Sequence, residues 1–170
     1  MTAIVYHSGQ LIADRRNILL GLPMYPVDEE KIFVSQDRQF AYGIAGKGVS
    51  PTQRAKVEEV LRHVISTMMV SGADHKALKE ITDYPLDQGF VVTKNLVLSI
   101  LDLHEMEVRV NPGITMGCGS GGLAASILFR MGKSIKEVES MLRRHDPLSG
   151  DKFDVIKVKS LKPFVIAKSK

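Results

Sequence analysis

Two short apolar runs joined by Ser8-Gly9 stand at the start of this chain. Ile4-Val5-Tyr6, read with Thr2 and Ala3, has the composition of a strand, and Leu11-Ile12-Ala13 runs as a second strand into Asp14-Arg15-Arg16. Ser8-Gly9 suits the tight turn that closes such a pair. A hairpin at the N-terminus commits the chain to a sheet from its first residues. It also places Thr2 at one end of that sheet. Threonine after Met1 is small enough for a methionine aminopeptidase to remove the initiator. The exposed residue would carry a hydroxyl and a free α-amine, and the amine can accept the hydroxyl proton and make the oxygen a nucleophile. An α-amine titrates near ~8, which suits a base working close to neutral pH. Taken alone, Thr2 reads as an ordinary first-strand residue before it reads as a nucleophile.

Beyond the hairpin the elements follow in order. Residues 17–30 hold Gly21, Pro23 and Pro26 and are expected to form an irregular loop. Lys31 to Val34 and Phe40 to Ala45 read as a strand hairpin, and Gly46 and Gly48 then loosen the chain. Ser50-Pro51-Thr52-Gln53 is a helix start, with an N-cap serine and proline at the first helical position. Val57, Val60, Leu61, Val64, Ile65 and Met68 make one apolar stripe at helical spacing, and Gly72 closes the helix. A shorter helix is expected over Ala73 to Tyr84. Phe90 to Thr93 and Leu96 to Leu101 form a hairpin about Lys94-Asn95, followed by strands over Glu105 to Val110 and Ile114 to Cys118.

A second helix is expected from Gly121-Gly122 to Met131, closed by Gly132. The capping box Ser134-Ile135-Lys136-Glu137 opens a third, with Val138, Met141 and Leu142 inward and Arg143, Arg144 and His145 at its C-terminal end. Strands over Phe153 to Val158 and Pro163 to Ala167 complete the chain. Runs of strands separated by helices argue an α+β fold with antiparallel sheets and outer helices. At 170 residues, with no repeat or linker, one domain spanning 1–170 is expected.

Composition removes several functions. No apolar run reaches membrane-spanning length, and the N-terminus has no signal-peptide pattern. Cys118 is the single cysteine, which excludes an internal disulfide framework and fits a reducing compartment, so a cytoplasmic location is expected. Net charge is +4, with Lys157, Lys159, Lys162, Lys168 and Lys170 making a basic tail. Through Lys159 the lysines alternate with Val155, Ile156 and Val158, as on a strand with one wet face, and no nucleic-acid-reading motif accompanies them. The five histidines are scattered without ligand spacing, so neither a metal nor a cofactor is expected.

Several polar residues occupy positions that admit both a structural and a chemical role. Lys31 opens an apolar strand, where it is either an edge lysine with its stem along the sheet or an inward ammonium. Asp14 is a turn-forming aspartate or a buried partner for a cation. Gly46 turns the chain toward the helix. Ser120, Asp146 and Ser149 serve as helix cap, helix-ending aspartate before proline and loop serine.

Taken in order, Thr2, Ala13-Asp14-Arg15-Arg16, Lys31-Ile32-Phe33, Ala45-Gly46, Gly119-Ser120-Gly121-Gly122 and Asp146-Pro147-Leu148-Ser149-Gly150 resemble the proteasome β-subunit family, and in size its HslV-like members. The resemblance covers nearly the whole chain. It implies a four-layer αββα sandwich of the N-terminal-nucleophile hydrolase type and threonine peptidase activity on peptides or unfolded proteins. It also implies homo-oligomeric stacked rings and an ATP-dependent unfoldase partner. By the same resemblance Lys31 tunes the Thr2 hydroxyl, Asp14 orients Lys31, and the Gly46 N–H forms the oxyanion hole. Ser120, Asp146 and Ser149 hold the Thr2 amine. Arg15 departs from the family, which usually has serine there. Gly117-Cys118-Gly119 can also be laid on the family's Gly-Ser-Gly, putting Cys118 at the serine position, although the register of Ala125 favours Ser120. Cys118 as nucleophile lacks a histidine signature around it. Two other functions are open: a ring or scaffold protein that keeps Met1 and has no catalysis, and an amidase for small molecules on the same fold.

Overall fold

The computed structural model describes residues 2–18, 26–45, 51–71, 88–102, 105–109, 114–145 and 152–166. The N-terminal hairpin is β1 (Ile4–His7) and β2 (Gln10–Asp14), paired antiparallel with Ile4 opposite Ala13 and His7 opposite Gln10. That register leaves Ser8 and Gly9 as the turn, at φ 47° and 74°. Positive φ at both positions is the turn whose twist matches that of paired strands. β10 (Thr115–Cys118) flanks β1, and β11 (Phe153–Lys157) flanks β2, giving one four-stranded antiparallel sheet.

The second sheet is a meander of five strands in chain order: β5 (Ile32–Val34), β6 (Ala41–Ala45), β7 (Gln88–Val92), β8 (Val97–Asp102) and β9 (Glu105–Arg109). Its β7–β8 hairpin turns at Lys94-Asn95 as expected, where the Thr93 hydroxyl accepts from the Asn95 and Leu96 N–H groups.

Three helices are described: α1 (Pro51–Ser71), α2 (Gly122–Arg130) and α3 (Ile135–His145). The α1 stripe packs Val57, Leu61, Val64, Ile65 and Met68 on Phe33, Phe40, Tyr42, Val91 and Leu98 of the five-stranded sheet. Ile4, Tyr6, Leu11 and Ala13 point the other way from Val5 and Ile12. They meet Ile32, Ala41, Phe90 and Val92 between the two sheets. Val5 and Ile12 lie under Ala125 and Phe129 of α2 and Val138 and Leu142 of α3. Helix, sheet, sheet and helices therefore stack as an αββα sandwich. Both faces of β1 and β2 are covered, which is why the N-terminal strands read as continuous apolar runs rather than alternating ones. Burying each large side chain there contributes roughly 1.5–3 kcal/mol. The capping box at α3 forms as expected: Glu137 Oε2 accepts from the Ser134 N–H at 2.8 Å, and the Glu137 N–H points back to Ser134 Oγ at 3.4 Å. Among the described residues no helix is long and apolar enough to cross a membrane.

Two expectations are corrected. Residues 17–30 are not wholly irregular, because β3 (Arg16–Ile18) pairs with β4 (Pro26–Asp28) as a two-stranded ribbon, with Ile18 opposite Pro26. Proline is tolerated there because it begins an edge strand and its missing N–H interrupts no inner ladder. The expected last strand is absent over residues 162–166. Pro163 brings no donor, the Val165 N–H donates to the Gln39 side chain at 2.9 Å, and Phe164 covers Phe40 with ring centroids 6.4 Å apart. This stretch is a side-chain-anchored cover. Gly72 and the expected helix over Ala73 to Tyr84 lie outside the described residues.

Candidate active site

Thr2 stands just ahead of β1, at one end of the four-stranded sheet, and is 8 % exposed. The next peptide fixes Asp14 in place. The Ala3 N–H donates to Asp14 Oδ1 at 2.6 Å, and the Ala3 carbonyl accepts from the Asp14 N–H at 3.0 Å. Asp14 ends β2 opposite the start of β1, so the hairpin itself carries this carboxylate back to the nucleophile candidate.

Lys31 completes the group. Its ammonium donates to the same oxygen, Asp14 Oδ1, at 2.9 Å, and also to the Arg16 carbonyl. The Asp14 side chain is wholly buried and that of Lys31 is 6 % exposed. Of the two roles open to Lys31 at the head of β5, the structure has the inward one. A buried ammonium without a partner is prohibitively costly. Here the carboxylate and a backbone carbonyl satisfy two of its three donors. The pair is joined to Thr2 through one peptide group, Ala3.

The loop after β10 closes over Thr2 from the other side. Gly119 has φ 78° and lies hard against the Thr2 carbonyl: a Cβ built on it would stand 2.0 Å from that oxygen. The Gly121 N–H donates to the same carbonyl at 3.4 Å. Ser120 sits between these two glycines and is exposed, at the turn ahead of α2. From the opposite sheet, Gln88 at the start of β7 accepts the Gly119 N–H at 3.3 Å, and Gln88 is the register partner of Ala45. Neither Gly119 nor Gln88 was singled out from the sequence as touching the site. A close approach of glycine to a distant backbone leaves no periodic signal, and Gln88 is an isolated polar residue.

Cys118 pairs with Ile4 in the β1–β10 register and is buried in the inter-sheet core. Burial pushes its thiol up to about 12, so it is neutral at ordinary pH and is not a thiolate nucleophile. Thr2, Asp14, Lys31 and the Ser120 loop are brought together. Gly46 follows the last residue of β6, and Asp146 and Ser149 follow α3; all three lie outside the described residues, as does Met1.

The fold built around this group has counterparts among solved structures. HslV from Trypanosoma brucei superposes with a TM-score of 0.59 at 16% identity, covering 91% of this chain and 97% of that one. The fold is HslV-like. BPH of Thiobacillus denitrificans in complex with epoxomicin gives a TM-score of 0.54 at 16% identity, covering 92% of this chain and 98% of that one. A second structure of BPH from the same organism gives a TM-score of 0.54 at 15% identity, covering 92% of this chain and 97% of that one. No protein-family profile and no curated protein matches the chain. At these identities the likeness concerns the fold.

Proposed function

We propose that this chain is a threonine-type peptidase subunit whose nucleophile is the Thr2 hydroxyl, freed for work by removal of Met1. The observation that carries the reading is the sharing of Asp14 Oδ1 between the Ala3 N–H and the Lys31 ammonium, which fixes a buried ion pair one peptide from Thr2. In the proposed reaction the Thr2 amine takes the proton of its own hydroxyl, and Oγ1 attacks the substrate carbonyl. The Gly46 N–H receives the developing oxyanion. The amine returns its proton to the leaving nitrogen, and water activated by the same amine releases the acyl group. Lys31 supplies positive charge beside the hydroxyl and favours its ionised form, and Asp14 aims Lys31. Ser120, Asp146 and Ser149 hold the amine in its basic state. Substrates are peptides or unfolded proteins.

The HslV-like fold also supports assembly into homo-oligomeric stacked rings. On α2 the side turned away from its own sheet exposes Leu123, Ile127 and Met131, one helical turn apart in succession. A second copy of this chain is the occupant proposed for that stripe. An ATP-dependent unfoldase as partner and a cytoplasmic location belong to the same reading.

The deciding experiment combines intact mass with turnover. Protein from its natural host is expected to lack Met1 and to hydrolyse a fluorogenic peptide, and Thr2→Ala is expected to hydrolyse none. Fully retained Met1 with no hydrolysis overturns the peptidase and leaves a scaffold on the same fold. Turnover of small amides without peptides redirects the reading to an amidase.

A further inference from the structure

At the far end of β1, roughly 20 Å from Thr2 at ~3.3 Å per strand residue, three turns meet around a cleft of about 570 Å³. Ser8-Gly9 contributes one wall, Lys94-Asn95 a second, and residues 157–159 the third. The lining carries Lys94, Lys157 and Lys159 and no carboxylate. All three lysines are exposed, and among the described residues no acidic group lies within ion-pair reach of any of them. Lys157 and Lys159, which the sequence left as part of a wet strand face, thus share one concavity with the turn residue Lys94.

Each turn is braced before any ligand arrives. The Val158 N–H donates to the Gly9 carbonyl at 2.9 Å, and the Ser160 hydroxyl caps the Lys157 carbonyl at 2.6 Å. The Lys94 turn is tied by Thr93. A preformed scaffold lowers the ordering cost of binding. Like charges held around one hollow repel one another, and a single multiply charged anion relieves that repulsion more than a singly charged one. Its volume suits a small molecule rather than a polymer. Ammonium groups act on phosphate as point charges, and the Ser8 and Gln10 side chains at the rim add hydrogen-bonding capacity.

We infer that this cleft binds a small phosphate-bearing anion with several negative charges, at a site separate from Thr2. Tyr6 is the aromatic residue of the lining and is only 2% exposed, too little for a base to stack on, so recognition falls on the phosphates rather than on a nucleobase.

Calorimetric titration of the full-length protein with tripolyphosphate, pyrophosphate, orthophosphate and citrate, at matched ionic strength, tests the inference. Tripolyphosphate is expected to bind tightest and orthophosphate weakest, with affinity falling as salt rises. Lys157→Glu and Lys94→Glu are each expected to weaken tripolyphosphate binding about tenfold or more, with melting temperatures unchanged because both side chains are exposed. Thr2→Ala is expected to bind as the parent does, which separates this site from the peptidase reading. Absence of tripolyphosphate binding overturns the inference, as does binding that survives both charge reversals. Citrate binding as tightly as the phosphates overturns the assignment to phosphate.

Discussion

Lys31 and Asp14, seventeen residues apart in the chain, form a 2.9 Å ion pair with both side chains almost wholly buried. The carboxylate has a second obligation, since the same oxygen accepts the Ala3 N–H. The two partners are therefore not equivalent. Lys31→Ala takes the ammonium away from a wholly buried carboxylate, and is expected to cost about 3–5 kcal/mol in urea unfolding. Replacing both by apolar residues, Lys31→Met with Asp14→Leu, is expected to recover only part of this. It orphans the Ala3 amide, a further penalty of about 1–3 kcal/mol. If the double variant is as stable as the parent, the shared oxygen is not what anchors the strand.

Gly119 and Gly132 offer a matched comparison, because both have φ near +80° but only Gly119 meets another residue. Gly132→Ala carries the left-handed backbone cost alone, about 1–2 kcal/mol. Gly119→Ala carries the same cost and also drives a Cβ into the Thr2 carbonyl. It is expected to be clearly more destabilising and to abolish peptide hydrolysis by displacing Thr2. Equal melting temperatures for the two variants would mean the loop can retreat from Thr2 freely.

The layers of the fold were legible where periodicity reports burial directly. The α1 stripe from Val57 to Met68 and the capping box at Ser134 and Glu137 are local patterns, and they took the form their spacing demands. The β3–β4 ribbon was not legible, since three paired residues on each side, one of them proline, make no strand signal. Nor was the stretch over residues 162–166, where Phe164 is half-buried for covering Phe40 and Val165, though apolar, is exposed and held by its N–H to Gln39 rather than by strand pairing. At the site, the inward direction of Lys31 could not be derived from a lysine at a strand start. It followed only from the resemblance. The pressure of Gly119 on Thr2 is purely tertiary and had no sequence counterpart.

Cys118 provides a negative control. With its thiol held at about 12 by burial, native protein at neutral pH is expected to resist iodoacetamide until it unfolds. Cys118→Ala is expected to retain peptide hydrolysis with a modest loss of stability. Rapid labelling of native Cys118 together with loss of hydrolysis would make sulfur the nucleophile.

The α2 stripe gives an assembly test. Ile127 is 49% exposed, so Ile127→Glu should leave the subunit's own packing intact while placing a charge in any contact between copies. The parent is expected to scatter light as a homo-oligomer and the variant as a smaller species of equal far-ultraviolet dichroism. A parent that stays monomeric across a wide concentration range sinks the ring proposal.

The pH dependence of hydrolysis distinguishes the amine from every other candidate base. In the proposed reaction the free Thr2 amine must be unprotonated, and a terminal amine titrates near ~8. For Met1-free protein, log kcat/KM is therefore expected to rise about one unit per pH unit below that point and to level above it. In the proposed site the Lys31 side chain beside Thr2 is expected to move the inflection downward, because a neighbouring cation disfavours protonation of the amine. In Lys31→Met the inflection should return toward the ordinary amine value, on a rate reduced about 100-fold or more. Lys31→Arg should not restore the rate, since guanidinium is planar, larger and cannot release a proton. Met1-bearing protein, separated by mass, has an amide at Thr2 and is expected to be inactive at every pH. A flat profile, or equal rates with and without Met1, would remove the amine from the mechanism, and with it the reason for Thr2 to stand where it does.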